Sequence, residues 1–263
     1  MNSTRRAALA AALTLTALTL TAFSARPAGA QELIQNGGFE TGTLANWTTQ
    51  DQAGSNGTFQ AESGTTLATS DPLGIRPTVG PASGTYYAVT DEGGSGSHAL
   101  LQAFTVTGSV SSVRLTFDMF VDNYAGGAAT PATLDDTTPY PNQQARVDLL
   151  SGNAGAFDLG TGVLANFYDG ADPAADPLRD NPHPYTHYSF DLTPYVVSGG
   201  TYQLRFAAVN NQDTLYQGVD NVSIHETPAA VPEASTTVSF GLLLALGLGG
   251  VVIAARRKKA VAS

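Results

Sequence analysis

The side chains able to do acid–base or metal chemistry in this sequence are carboxylates and histidines, since it holds no cysteine. His183-Pro184-Tyr185-Thr186-His187 has the i, i+4 spacing that binds one zinc when a helix puts both rings on one face. Pro182 and Pro184 oppose that helix, and no glutamate follows His183, so these read as loop histidines. Asp169, Asp172, Asp176 and Asp180 could gather a cation, but the EF-hand pattern is missing and Pro173 and Pro177 stiffen the segment. They read as a solvated acidic loop. Asp118 and Asp122 fall on the polar side of one alternating segment, where a glycosidase pair would need two carboxyls at a set separation across a cleft. No G-x-S-x-G, phosphate-binding loop or H-E-x-x-H motif occurs, so the expectation is a non-catalytic protein. A sugar platform would have to use tyrosines, with Tyr124, Tyr140, Tyr168, Tyr185 and Tyr188 in or beside loops. The single tryptophan, Trp47, is expected in the core.

The elements that must carry these groups read as strands. Alternation recurs between turn residues, and no long segment of the middle region has helical period. Along 113–121, Val113, Leu115, Phe117, Met119 and Val121 share one face. Along 202–208, Tyr202, Leu204, Phe206 and Ala208 do the same. Further strands are expected at 33–34, 58–61, 85–89, 99–106, 145–150, 188–192 and 218–225. Eight or nine strands in roughly 200 residues imply a two-sheet β-sandwich. Residues 124–144 and 152–187, rich in Gly, Pro and Asp, read as long surface loops, and 227–230 as a short linker.

The two ends differ from the middle. Arg5-Arg6 precedes an Ala/Leu/Thr run, and Ala28-Gly29-Ala30 is an A-x-A site, the layout of a signal peptide cleaved after Ala30. At the other end, residues 238–255 hold no charge, and Arg256-Arg257-Lys258-Lys259 follow. Eighteen helical residues reach about 27 Å, enough for a thin bilayer core, and the four cations would stop the helix on the cytoplasmic side. Residues 31–230 then keep five arginines, no lysine and nearly all the acids. Such a domain repels nucleic acid and offers carboxylates to divalent cations.

Val231-Pro232-Glu233, the apolar run and the basic end together resemble the PEP-CTERM sorting signal. The departure is Ala234, where that family most often has a second proline. The resemblance implies recognition and processing near the motif by a membrane-embedded exosortase, in bacteria that make exopolysaccharide. A second resemblance lies in Asn36-Gly37-Gly38-Phe39-Glu40-Thr41-Gly42 with Trp47, and in Gly218-Val219-Asp220-Asn221-Val222-Ser223-Ile224. These look like the first and last strands of jelly-roll carbohydrate-binding modules with a galactose-binding-like fold. That likeness implies that the two motifs meet in space, and that Glu40 and Asp220 help to hold a structural calcium. Asn36 is expected to shape the turn instead.

The resulting expectation is an all-β jelly-roll domain over residues 31–227, flanked by a signal peptide (1–30) and a sorting tail (228–263). It would be an exported surface or matrix protein associated with exopolysaccharide. A passive matrix protein and a secreted polysaccharide hydrolase are the alternatives.

Overall fold

The computed structural model describes residues 29–67, 76–91, 94–125, 133–170 and 182–230. All of these belong to one unit, Ala28–Val231. Ala28, Val231, Pro232, Glu233, the apolar run and Arg256, Arg257, Lys258 and Lys259 lie outside the described residues, as do Asp172, Asp176 and Asp180. Among the described residues no helix is long and apolar enough to cross a membrane.

Eleven strands appear among the described residues: β1 (Gln31–Glu32), β2 (Thr48–Asp51), β3 (Thr58–Ser63), β4 (Tyr86–Asp91), β5 (Gly96–Thr105), β6 (Val110–Asn123), β7 (Gln143–Ser151), β8 (Val163–Gly170), β9 (Thr186–Asp191), β10 (Thr201–Asn210) and β11 (Leu215–Pro228). One sheet has the order β3-β4-β11-β6-β9, with β1 also on β11, and the other β2-β5-β10-β7-β8. Every pair is antiparallel. From β4 to β11 the chain crosses between the sheets at every connection except β7–β8, which is the winding of a jelly roll.

The alternation of β6 works as its sequence implies. Val113, Leu115, Phe117, Met119 and Val121 are all buried, and they meet Tyr202, Leu204, Phe206 and Ala208 across the sandwich in one core. Phe117 meets Phe206 edge-on at 5.2 Å, and Trp47 lies between Phe39 and Phe206 at 5.6 and 6.1 Å. Trp47 is a core residue, and its indole N–H donates to the Asn36 carbonyl at 3.1 Å. Truncating a ring like this to alanine typically costs about 3–5 kcal/mol.

Several segments depart from expectation, and the strand expected at 33–34 lies instead at Gln31–Glu32. Residues 152–187 are not one loop, because they contain β8. Register shifts at Val147/Asp148 and Leu149/Leu150 interrupt its pairing, and an extra residue breaks the period of two. The all-exposed β2 is also absent from the sequence reading, since it has no apolar face to alternate. Residues 227–230 are not a free linker either: β11 runs through Pro228, and the Ala229 N–H donates to Ser109 O at 2.8 Å.

Strand directions give the sandwich two distinct poles. Register places Thr105, Val110, Ser151, Val163, Thr201 and Pro228 at one end, with both described chain ends. Asp91, Gly96, Asn123, Gln143, Gly170, Asn210 and Leu215 lie at the other. The connections 92–95, 124–142, 171–185 and 211–214 therefore all start and finish at the pole opposite the chain ends.

Candidate functional site

The opening and closing motifs do meet. Val222 N–H donates to Gly37 O at 2.9 Å, and an added Cβ on Gly37 would lie 1.8 Å from Val222 O, so only glycine fits there. Asn36 (φ 53°) donates through Nδ2 to Thr43 O and Ala45 O, which makes it the organiser of the turn, as expected. β11 bulges between Asp220 and Ser223, with Asn221 at φ 52°.

Glu40 and Asp220 flank Gly38: a Cβ added to that glycine would lie 3.9 Å from Glu40 Cγ and 4.0 Å from Asp220 Oδ1. Both carboxylates accept N–H groups from one loop. Glu40 takes Thr85 and Tyr86 at 3.0 and 3.1 Å. Asp220 Oδ2 takes Ala82 and Ser83 at 2.9 and 3.0 Å, and Oδ1 takes Asn221 at 2.7 Å. Burial pushes the Asp220 carboxyl up to about 6 against the pull of these amides, and the charge of Glu40 adds to the rise. Two anionic oxygen donors that repel each other have the chemistry a hard cation prefers. Among the described residues no three His, Asp, Glu or Cys side chains converge to hold a metal, so backbone carbonyls would have to complete any shell here.

The histidines of 183–187 are not idle loop residues. His187 Nδ1 lies 2.8 Å from Asp118 Oδ1, and His183 Nδ1 lies 3.0 Å from Asp122 Oδ1. Between them Tyr185 packs edge-on against Phe120 at 5.0 Å, and burial raises its hydroxyl pKa strongly. Asn221 Nδ2 also donates to Asp118 at 2.8 Å. Asp118 and Asp122 stand four residues apart on one strand, roughly 13 Å by strand rise, beyond the reach of either glycosidase geometry. Asp220, opposite Asp118 in register, is fully buried with both oxygens taken by amides. Neither pairing therefore forms a carboxylate dyad open to a sugar.

Asp169 does not join a cation cluster among the described residues. It accepts from Arg146 Nη1 at 2.7 Å, while Arg146 also binds Asp148, and Asp148 accepts from the fully buried Arg205. Arg205 Nη1 donates to Ala156 O and Asp158 O, both at 2.8 Å, which fastens residues 152–162 over the outer face of the second sheet.

The five loop tyrosines separate clearly. Tyr124 is buried under Arg76, whose guanidinium stands 4.5 Å over the ring. Tyr185 is packed as described, and Tyr168 and Tyr188 meet at 6.0 Å along the β8–β9 edge of the sandwich. Tyr140 alone of the five is well exposed, at 71%. Its backbone is held nonetheless: Tyr140 O accepts from Asn211 Nδ2 at 2.8 Å and from Thr138 Oγ1 at 3.0 Å. Asn211 Oδ1 in turn accepts Asn142 N–H at 2.7 Å. Nearby, Asp135 accepts from Thr137 and from Gln52, and these bonds hold its carboxyl below the usual range. Asn211 carries this frame, and its position in a four-residue connection gives no sequence signal for the role.

No protein-family model matches the chain, and no curated protein matches it. Among solved structures, the carbohydrate-binding module TmCBM61 in complex with beta-1,4-galactotriose is similar at 10% identity and TM-score 0.43, over 74% of this chain and 97% of that one. The K3 cleaved adhesin domain of Lys-gingipain from Porphyromonas gingivalis W83 is similar at 16% identity and TM-score 0.44, over 74% and 99%. A Stig cyclase, Fisc from Fischerella sp. TAU, is similar at 16% identity and TM-score 0.43, over 77% and 100%. These neighbours differ in what their names say they do, so no ligand or activity comes to this chain from them.

Proposed function

We propose that this is an exported, envelope-sorted, non-catalytic surface or matrix protein that binds exopolysaccharide at its loop-bearing pole. The observation that carries the binding reading is Tyr140: a well-exposed ring on a backbone locked by Asn211 and Thr138, opposite the chain ends. An aromatic plane offers a surface to the CH face of a pyranose, and pre-ordering its backbone lowers the entropy lost on binding. The neighbouring Asp135 carboxylate and amide side chains supply hydroxyl partners, the few polar groups around an apolar contact that a ligand site needs.

The export and sorting readings rest on Ala28 and Ala30, on Val231-Pro232-Glu233 and on the apolar run with its basic end. An exosortase-type enzyme would be the processing partner, and the membrane a temporary one. A structural calcium, where bound, would be held by Glu40, Asp220 and backbone carbonyls. It would neutralise the repulsion between those two acids.

The test is binding of the mature protein to the producing organism's purified exopolysaccharide. Saturable binding should weaken roughly tenfold, about 1.4 kcal/mol, in Tyr140→Ala at unchanged melting temperature. Absence of any saturable binding would favour a passive matrix protein.

A further inference from the structure

A strand at the edge of a sheet presents a row of unpaired N–H and C=O groups, and folded proteins blunt such edges with short strands, bulges, proline or charge. The lateral edges of this sandwich differ in that respect. β2 has four residues, β8 is interrupted by two register shifts, and β3 carries Glu62. β9 has six residues, pairs with β6 without a register shift, and holds neither proline nor lysine. Among the described residues no strand lies on its other side. Thr186, His187, Ser189 and Asp191 are exposed, and Tyr188 and Phe190 are half-buried.

The order of side chains along β9 is complementary to itself. Antiparallel pairing with a second copy, centred on Ser189, sets His187 against Asp191, Tyr188 against Phe190, and Ser189 against its own counterpart. His187, Ser189 and Asp191 stand on the outer face of the sheet, while Tyr188 and Phe190 pack toward the core. Asp191 is held as an anion, because hydrogen bonds from the Thr193 hydroxyl and N–H keep its carboxyl below the usual carboxylate range. The match extends to the next strand, where Asp118 stands beside His187 and Arg114 beside Asp191. Across the joined sheet each outer row then reads Asp118, His187, Asp191 of the second copy, Arg114 of the second copy. Opposite charges and aromatic pairs facing each other across a ladder favour pairing, and like charges oppose it. A slip of one residue would set His187 against Phe190 and Tyr188 against Ser189, and the match is lost.

We infer that β9 is the contact of a two-fold homodimer, in which the sheet carrying β9 continues from one copy into the other. A two-fold contact must be self-complementary, and β9 is. The pairing is antiparallel, so the two copies present their loop-bearing poles in opposite directions. Where those poles bind polysaccharide, as proposed above, one dimer joins two polysaccharide chains; the contact itself does not depend on that reading.

The experiment uses the protein recovered from its native host and needs no ligand, so its failure is distinct from failure of polysaccharide binding. The chain has no cysteine, and a single introduced thiol therefore reports on one position. Residues paired across an antiparallel ladder have Cα atoms about 4.5–5.5 Å apart, within the span of a disulfide. Ser189→Cys should oxidise to a covalent dimer. Thr186→Cys, whose two copies stand about 20 Å apart in this register, should stay monomeric under the same oxidant. Ser189→Lys and Ser189→Glu each place like charges on the two-fold axis. Each alone should weaken association in sedimentation by roughly fivefold, and an equal mixture of the two should restore it. The melting temperature should not change, because the side chain is exposed. Wild type that sediments as a monomer across the micromolar range overturns the proposal. So does cross-linking of Thr186→Cys as readily as of Ser189→Cys. A disulfide from Ser189→Cys to a different polypeptide overturns it as well, since the edge would then take a foreign strand.

Discussion

Asp220 makes a quantitative prediction about the junction of the first and last strands. Its carboxyl is raised to about 6 in the fold, against an ordinary value of 3.8, chiefly by burial. Between those two values the native state holds a proton that the unfolded chain has lost. Stability from this group is therefore fully present below about pH 4 and declines as pH rises through about 6. A rise of that size corresponds to about 3 kcal/mol. In a domain of this size that is a fall in melting temperature of roughly 6–12 °C. The assay is urea unfolding of metal-free protein from pH 4 to 7.5, for wild type and Asp220→Asn. The difference between the two curves isolates this group. Calcium bound at Glu40 and Asp220 would favour the ionised carboxylate and reverse the slope, because a cation that binds only the native state adds stability as the site deprotonates. Parallel wild-type and Asp220→Asn curves in metal-free buffer would refute the burial argument. Identical curves with and without calcium would remove the cation from this site.

Other expectations follow from the same structure. Asp148→Ala should cost about 3–5 kcal/mol, because it strips the buried Arg205 guanidinium of its counter-charge. Limited proteolysis should then cut first within residues 152–162, and resistance equal to wild type would show that Arg205 does not hold that loop. Gly37→Ala should lower the melting temperature by several degrees, since its Cβ would collide with the Val222 carbonyl. An unaltered melt would mean that the two motifs do not meet as closely as described.

Much of the architecture was legible in the sequence because the core strands alternate cleanly. β6 and β10 each show one apolar face, and those faces form the core. Where alternation fails, the sequence is silent: β8 is interrupted by its register shifts, and β2 is polar on both sides. The site residues were legible as types but not as partners. Glu40 and Asp220 stand out by their motifs, yet nothing local says that both would serve amides of residues 82–86. The pairing of His183 and His187 with Asp122 and Asp118 depends on a neighbouring strand more than sixty residues away in the chain.

By itself, then, the sequence determined the all-β composition, the acidic character of the middle region, the core faces of the long strands and the tripartite pattern after residue 230. Those are properties of local order: period, charge and spacing along one chain. Only the tertiary structure decided which of five tyrosines stands clear of the core. The backbone that carries the exposed Tyr140 ring is held by Asn211, 71 residues distant, which donates to its carbonyl. Only the tertiary structure, too, set the chain ends at one pole and the starts and finishes of connections 124–142 and 171–185 at the other. Strand direction within an antiparallel sheet is fixed by pairing, and pairing is a property of no single segment.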